Sequence, residues 1–327
     1  MIKIDSRTSE LAAKYGANWK TISGSKVLIG KGGKIYAGMS GKFSNIADTK
    51  KRVGGGFAFS TDSPMALAIG AEHCQTVASM VNSTELATLW KQHADTVPVN
   101  GTTKGKGYYE HRSGVIHFDK SRMLNDTIMG KYDVLIHEMT HAIDYKRGAM
   151  DGGGSYASRY KNGAFDKAIR ADVDARIKAK QAEMKVLHKE IVSKYTDSRA
   201  LTIELEKHGF IKNSELYSTE WNIRERGKIP GATKDAAARA IGKELSKMKN
   251  VAAVSDLYGG ATNNKARGWY GHASKYWSTD RTKLAQEGFA NMCEATVCSK
   301  AELATIKEYL PTAYKVYTEM VADMTKL

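Results

Sequence analysis

Proline is scarce in this chain, with four in 327 residues, which excludes a Pro-rich linker. The three cysteines, Cys74, Cys293 and Cys298, are too few and too scattered for a disulfide framework. Free thiols in a reducing compartment are the expectation. No run reaches the ~18 apolar residues that a membrane helix needs, and the opening Met1 to Arg7 lacks the apolar stretch of a secretory signal. The expectation is therefore a chain with no signal peptide and no membrane partner. Acidic residues are also in deficit, 35 against 50 basic ones, for a net charge of +15. What is present is ordinary for a globular protein. Hydrophobic residues make up 42%, which excludes a mostly disordered chain. The length suggests two domains, or one large domain with an insertion.

The positive charge is concentrated at one end. Residues 1–57 hold eleven basic and three acidic residues, a net of +8. Such a field favours polyanions, so non-specific nucleic-acid contact is expected of this region. The alternative is a solvated basic surface that aids solubility, since no nucleic-acid-binding motif accompanies the charge.

Within that region, Val27-Leu28-Ile29 and Lys34-Ile35-Tyr36 are short β-prone runs between glycines, a hairpin pattern. Ser63-Pro64 opens a helix, with proline at its first position, and a second begins at Ser83, with Glu85 in its first turn. The polar, Gly-rich stretch Asn100 to Gly107 marks a boundary that divides the chain into 1–105 and 106–327. Beyond it, Tyr108 to Asp119 gives two short strands or one bent strand, and Tyr132 to Lys146 a helix, ended by the Gly-rich stretch Gly148 to Gly154. Residues 165–209 carry apolar residues at helical spacing and read as a helical hairpin. Thr233 caps a further helix reaching Lys249. Gly259 to Gly271 reads as an aromatic loop, and two final helices lie before and after Pro311.

One motif dominates the chemistry, His137-Glu138-Met139-Thr140-His141. Histidines at i and i+4 share one helix face, so both imidazoles can reach one metal ion. Glu138 sits beside that face, where it can hold and deprotonate a water. This is the H-E-x-x-H arrangement of zinc peptidases. The competing reading is two surface histidines on an ordinary helix. A catalytic zinc takes three protein ligands. Glu287, read at the start of a helix where the dipole favours a carboxylate, is the best candidate for the third. His272 is its rival, and Glu294, on a similar helix face, a weaker one. Asp144 is either an outer partner that orients a ligand imidazole or an exposed helix charge.

Together, the run from His137 to Asp144, then Tyr276, then Glu287-Gly288-Phe289-Ala290 resembles the metallopeptidase domain of the anthrax-lethal-factor-like group, a branch of zincins. Ser255 to Gly259 and Trp269 to Trp277 look closer still to phage-encoded members associated with minor head proteins. The likeness covers 107–144 and 254–327, about a third of the chain. It implies an α+β fold, a zincin-like domain with a small sheet, the H-E-x-x-H helix and C-terminal helices; the long segment 160–249 reads as a helical insertion into that domain, and the N-terminal region, which has no counterpart in the family, as a small basic α+β region. It also implies Zn²⁺ on His137, His141 and Glu287, Glu138 as general base, and Tyr276 as transition-state donor. The eleven-residue step from Tyr276 to Glu287 is longer than in lethal factor itself.

The function so implied is zinc-dependent hydrolysis of a peptide bond, with Glu138 moving the proton. Tyr276, or His272 as the other choice, donates to the oxyanion. The substrate is a protein or peptide, laid along Val115 to Phe118 as an exposed strand edge. The expected setting is a phage virion or the host cytoplasm, with phage head or tail proteins as partners. The competing class is a virion structural or DNA-associated protein that keeps a metal site without turnover. A host-directed toxin peptidase is the third reading, weakened by the missing signal peptide.

Overall fold

The computed structural model describes residues 58–121 and 128–326, apart from 82, 102, 103 and 106, together with the backbone of three strands nearer the N-terminus. The chain divides into two compact units, Met1–Gly56 with Asn82–Thr84, and Phe57–Val81 with Glu85–Leu327.

In the first unit, β1 (Asn18–Ile22), β2 (Ser25–Ile29) and β3 (Ile35–Tyr36) form an antiparallel sheet in that order. Leu28 pairs with Tyr36 and Ile29 with Ile35, the expected hairpin. The β1 strand, which sequence reading missed, adds a third member, with Asn18 opposite Ile29. Of the eleven basic residues at 1–57, all but Lys20 and Lys26 lie outside the described residues.

The second unit is mostly helical. Its first helices are α1 (Pro64–Ile69), α2 (Ala71–Met80) and α3 (Thr84–His93). Ser63 caps α1 by accepting the Ala66 N–H, with Pro64 in the first turn. A small sheet follows, in the order β4 (Val99–Asn100), β6 (Val115–His117), β5 (Tyr108–Glu110). The β6 strand is parallel to β4 and antiparallel to β5. It is thus the central strand of the sheet, and Val115 to Phe118 does not offer the expected free edge. The break read at 105/106 falls inside this unit, and the β4–β6 pairing spans it.

The motif helix is α4 (Asp133–Met150). Leu135, Ile136, Met139, Ala142 and Ile143 are buried along one stripe at helical spacing, which fixes the helix against the body. It runs a turn past the expected end because Gly148 serves a close contact. A Cβ there would meet the Gly154 carbonyl oxygen at 1.7 Å. The short α5 (Tyr156–Arg159) follows. Over 160–249 the chain forms α6 (Ala164–Lys194), α7 (Ser198–Lys207), a 3-10 turn (Asn213–Glu215), α8 (Leu216–Arg226) and α9 (Lys234–Leu245). Thr233 caps α9 through the Ala236 N–H.

The remaining helices are α10 (Ala252–Thr262), α11 (Ser274–Ser278), α12 (Lys283–Cys298), α13 (Lys300–Tyr309) and α14 (Pro311–Thr325). Gly259 and Gly260 lie within α10 rather than opening a loop. A Cβ on Gly260 would meet Leu284 and Trp277 at 2.9 Å, so close packing and not a turn demands that glycine. The α12 helix is the hub of the unit. It packs against α4, α5, α6, α10, α13 and α14 and buries Leu284, Phe289, Met292 and Cys293. The chain is therefore α+β, largely helical with two small sheets. Among the described residues no helix is long and apolar enough to cross a membrane.

Candidate metal centre

The packing of α12 on α4 brings Glu287 onto the two motif histidines. His137 Nε2 lies 3.2 Å from Glu287 Oε2, and His141 Nε2 lies 3.7 Å from Glu287 Oε1. The two imidazole Nε2 atoms stand 3.2 Å apart. His137, His141 and Glu287 each present a ligand atom, all within 4.8 Å of one another, and so can hold a metal ion. Glu287 is the fifth residue of α12 rather than its first, so packing rather than the helix dipole places it. Glu287 is 2% exposed, and its Oε2 is buried without a hydrogen bond. An acceptor so desolvated is costly unless a positive charge faces it.

The electrostatics agree. Burial would push the His137 imidazole down, but the adjacent Glu287 and Glu294 carboxylates, the latter bonded to its Nδ1, hold it well above its ordinary pKa. Burial would likewise raise the Glu287 carboxyl, but His141 and His137 hold it well below the usual carboxylate range. Opposite charges on the imidazoles and the carboxylate thus face each other in a buried cluster whose ligand atoms could hold a metal ion.

Glu294 takes a different place from the one weighed for it. Seven residues after Glu287, it lies on the same face of α12. Its Oε2 accepts the His137 Nδ1–H at 2.9 Å. That bond turns Nε2 toward Glu287 and His141, the outer-partner role considered for Asp144. Asp144 is fully buried, so it is no exposed helix charge. It accepts the Ala157 N–H at 2.7 Å and ties α5 to α4. Burial pushes its carboxyl up to about 6.

Glu138 is buried and lies outside the convergent ligand atoms. Its neighbour is Gly107, immediately before β5, where a Cβ would stand 3.6 Å from Glu138 Cγ. Tyr276, on α11, donates its hydroxyl to Glu287 Oε1. Burial, then the Glu287 charge, push that hydroxyl's pKa up and keep it a donor. Lys283 Nζ lies 3.7 Å from the centre of the Tyr276 ring and donates to the Tyr276 carbonyl. His272 stacks on the same ring at 4.0 Å. Its Nδ1 lies 3.0 Å from Asp256 Oδ1, and its backbone N–H donates to that oxygen at 2.7 Å. Burial would lower the His272 pKa, but Asp256 raises it. The structure thus brings Glu138, Tyr276 and His272 to the site with the three ligand candidates.

Comparison with known proteins found no matching family model, curated protein or solved structure. The site rests on its own geometry.

Sequence reading gave no role to Asp256, Asn291 or Lys283. Asp256 is a lone acid in the apolar run Ala252 to Tyr258, where a buried carboxylate needs partners, and that was the available signal. Asn291, one turn after Glu287 on α12, donates to Asp256 Oδ2 at 3.3 Å.

Proposed function

We propose that the chain is a zinc-dependent endopeptidase of the lethal-factor-like zincins, phage-encoded and carried with the virion. One observation carries the reading. Two histidines a turn apart on α4 converge with Glu287 of α12, while Glu138 between them is left out of the ligand set. Two ligands about 2.0–2.1 Å from a tetrahedral zinc stand roughly 3.3 Å apart. The 3.2 Å separations of His137 Nε2 from His141 Nε2 and from Glu287 Oε2 fit that spacing. The orphaned Glu287 Oε2 and the outer Glu294 also fit.

When bound, zinc supplies Lewis-acid polarisation of the scissile carbonyl and a more acidic water. The chain's residues do the rest. Glu138 orients the attacking water, accepts its proton and passes it to the leaving amine. Tyr276 turns its O–H from Glu287 to the oxyanion of the tetrahedral intermediate, with His272, braced by Asp256, as the other donor. Among the described residues β5 pairs with β6 alone. An extended protein substrate then adds to β5 through main-chain hydrogen bonds, and Gly107 at its start leads the substrate past Glu138.

The net charge of +15, dense at 1–57, favours a second reading, a virion structural or DNA-associated protein whose metal site does not turn over. Phage head or tail proteins are partners under either reading, and non-specific nucleic acid is one under the second. Metal content after exhaustive dialysis, with cleavage of a peptide library, separates the two. The endopeptidase reading expects one retained zinc, lost in Glu287→Ala, and cleavage by the wild type. Retained zinc without cleavage favours the second reading, and zinc retained by Glu287→Ala removes Glu287 from the ligand set.

A further inference from the structure

A second set of ligand atoms adjoins the first. Asp256, His272 and Glu287 also offer one ligand atom each within 4.8 Å of one another, and Glu287 is common to both sets. We infer that Asp256, His272 and Glu287 form a second, weaker divalent-cation site that shares the Glu287 carboxylate, takes zinc in excess, and restrains the peptidase when filled. The inference rests on the metal-centre reading above, which it deepens.

Three features of the chain build this site. First, Asp256 is 1% exposed within apolar α10, and its carboxylate faces the imidazole of His272, at 3.0 Å from Oδ1 and 3.2 Å from Oδ2. Second, Gly271 brings the loop down onto that carboxylate. Its φ is +128°, and a Cβ there would meet Asp256 Oδ1 at 2.7 Å and Asp256 Cα at 2.9 Å. Glycine is therefore required for His272 to reach Asp256. Third, the Glu287 carboxylate offers a ligand atom to this set as well as to the first. Two carboxylates and an imidazole are donors suited to zinc, and a carboxylate shared between two ions is the usual bridge of paired-metal sites.

The order of affinity follows from the surroundings. The side chain of His272 is 37% exposed, against 16% and 12% for His137 and His141, so a cation enters there from solvent. Asp256 already accepts from the His272 backbone N–H and from Asn291. A cation must compete with those donors, which makes this the weaker site. Once held, it ties up His272 and one end of Glu287, and takes the place where Tyr276 and His272 meet the substrate oxygen.

The test titrates full-length protein, dialysed to its retained zinc, with ZnCl₂. Bound metal is counted by equilibrium dialysis and elemental analysis. The wild type should take up a second zinc saturably. Asp256→Asn and His272→Ala should each keep the first zinc and lose the second. Two variants are used because Asp256 is buried, whereas His272 is partly exposed and its removal spares the core. Peptide cleavage by the wild type should fall as the second zinc binds. A wild type that stops at one zinc overturns the inference and leaves the first site standing. So does a second zinc that survives both substitutions. A wild type that retains no zinc overturns both readings.

Discussion

Glu294 Oε2 stands 2.9 Å from His137 Nδ1, two turns along α12 from the Glu287 carboxylate that faces the other nitrogen of the same imidazole. One helix thus supplies both a ligand for the metal and the group that aims a second ligand. The seven-residue step makes this possible, because two helical turns return a side chain to nearly the same face. With Nδ1 bound to Glu294, Nε2 is directed into the site, where a metal ion would displace its proton, and the ring is held against rotation.

Glu294→Ala should weaken zinc binding about 10–100-fold, the usual cost of losing an outer partner. Glu294→Gln should fall less, since its amide oxygen still accepts the Nδ1–H. Competition against a chromophoric chelator measures both. Equal affinity in the wild type and the alanine variant would mean that Glu294 has no hold on the ring.

Glu138→Gln should fold and retain zinc as the wild type does, because position 138 lies outside the ligand set. Glutamine is close in shape but accepts no proton, so cleavage should fall at least the ~10²–10⁴-fold expected for loss of a general base. Steady-state rates on a peptide cleaved by the wild type, beside metal analysis, check both halves. A fully active variant would put the base elsewhere.

The legible parts of the fold were those written in local periodicity. The apolar stripe of α4 and the i, i+4 histidines follow from 3.6 residues per turn, and both stood in the sequence. Glu287 was visible only as a carboxylate at a helix start, and its helix begins four residues earlier than expected, so packing and not the dipole places it. Glycine was the main source of error. Gly148, Gly259 and Gly260 read as breakers, yet they permit close contact of helix with loop or helix with side chain. The Asp256–His272 pair was hidden because sixteen residues separate its members and a left-handed Gly271 joins them. The central place of β6 was hidden too. It depends on pairing with β4, a two-residue strand with no periodicity to read.

The basic N-terminal region should give the full chain a salt-sensitive affinity for duplex DNA. Each phosphate contact adds about −0.9 to the slope of log K against log salt. Replacing Lys50, Lys51 and Arg52 with alanine removes three of the eleven basic residues at 1–57. The slope should then flatten by up to about 2.7. Fluorescence anisotropy across a salt series reads the slope. No binding by the wild type at low salt would leave the charge with a solubilising role only.

Glu302 links stability to pH in a direction opposite to most carboxylates. It is 1% exposed on α13, and its Oε1 accepts the Ala253 N–H at 2.7 Å, at the start of α10. Burial pushes its carboxyl from 4.5 up to about 7, against the pull of the backbone N–H groups. The folded chain therefore holds this proton more tightly than the unfolded one. Its contribution is complete below pH 4.5 and is lost as pH rises to about 7. Glutamine keeps the accepting oxygen and does not ionise. Glu302→Gln should thus gain stability relative to the wild type between those limits, on the order of 3 kcal/mol from the shift alone. Urea unfolding of both proteins at pH 4.5, 6 and 8 isolates the effect, since every other group titrates in both. A difference that stays constant across the three would show that the Glu302 carboxyl titrates alike in the folded and unfolded chains.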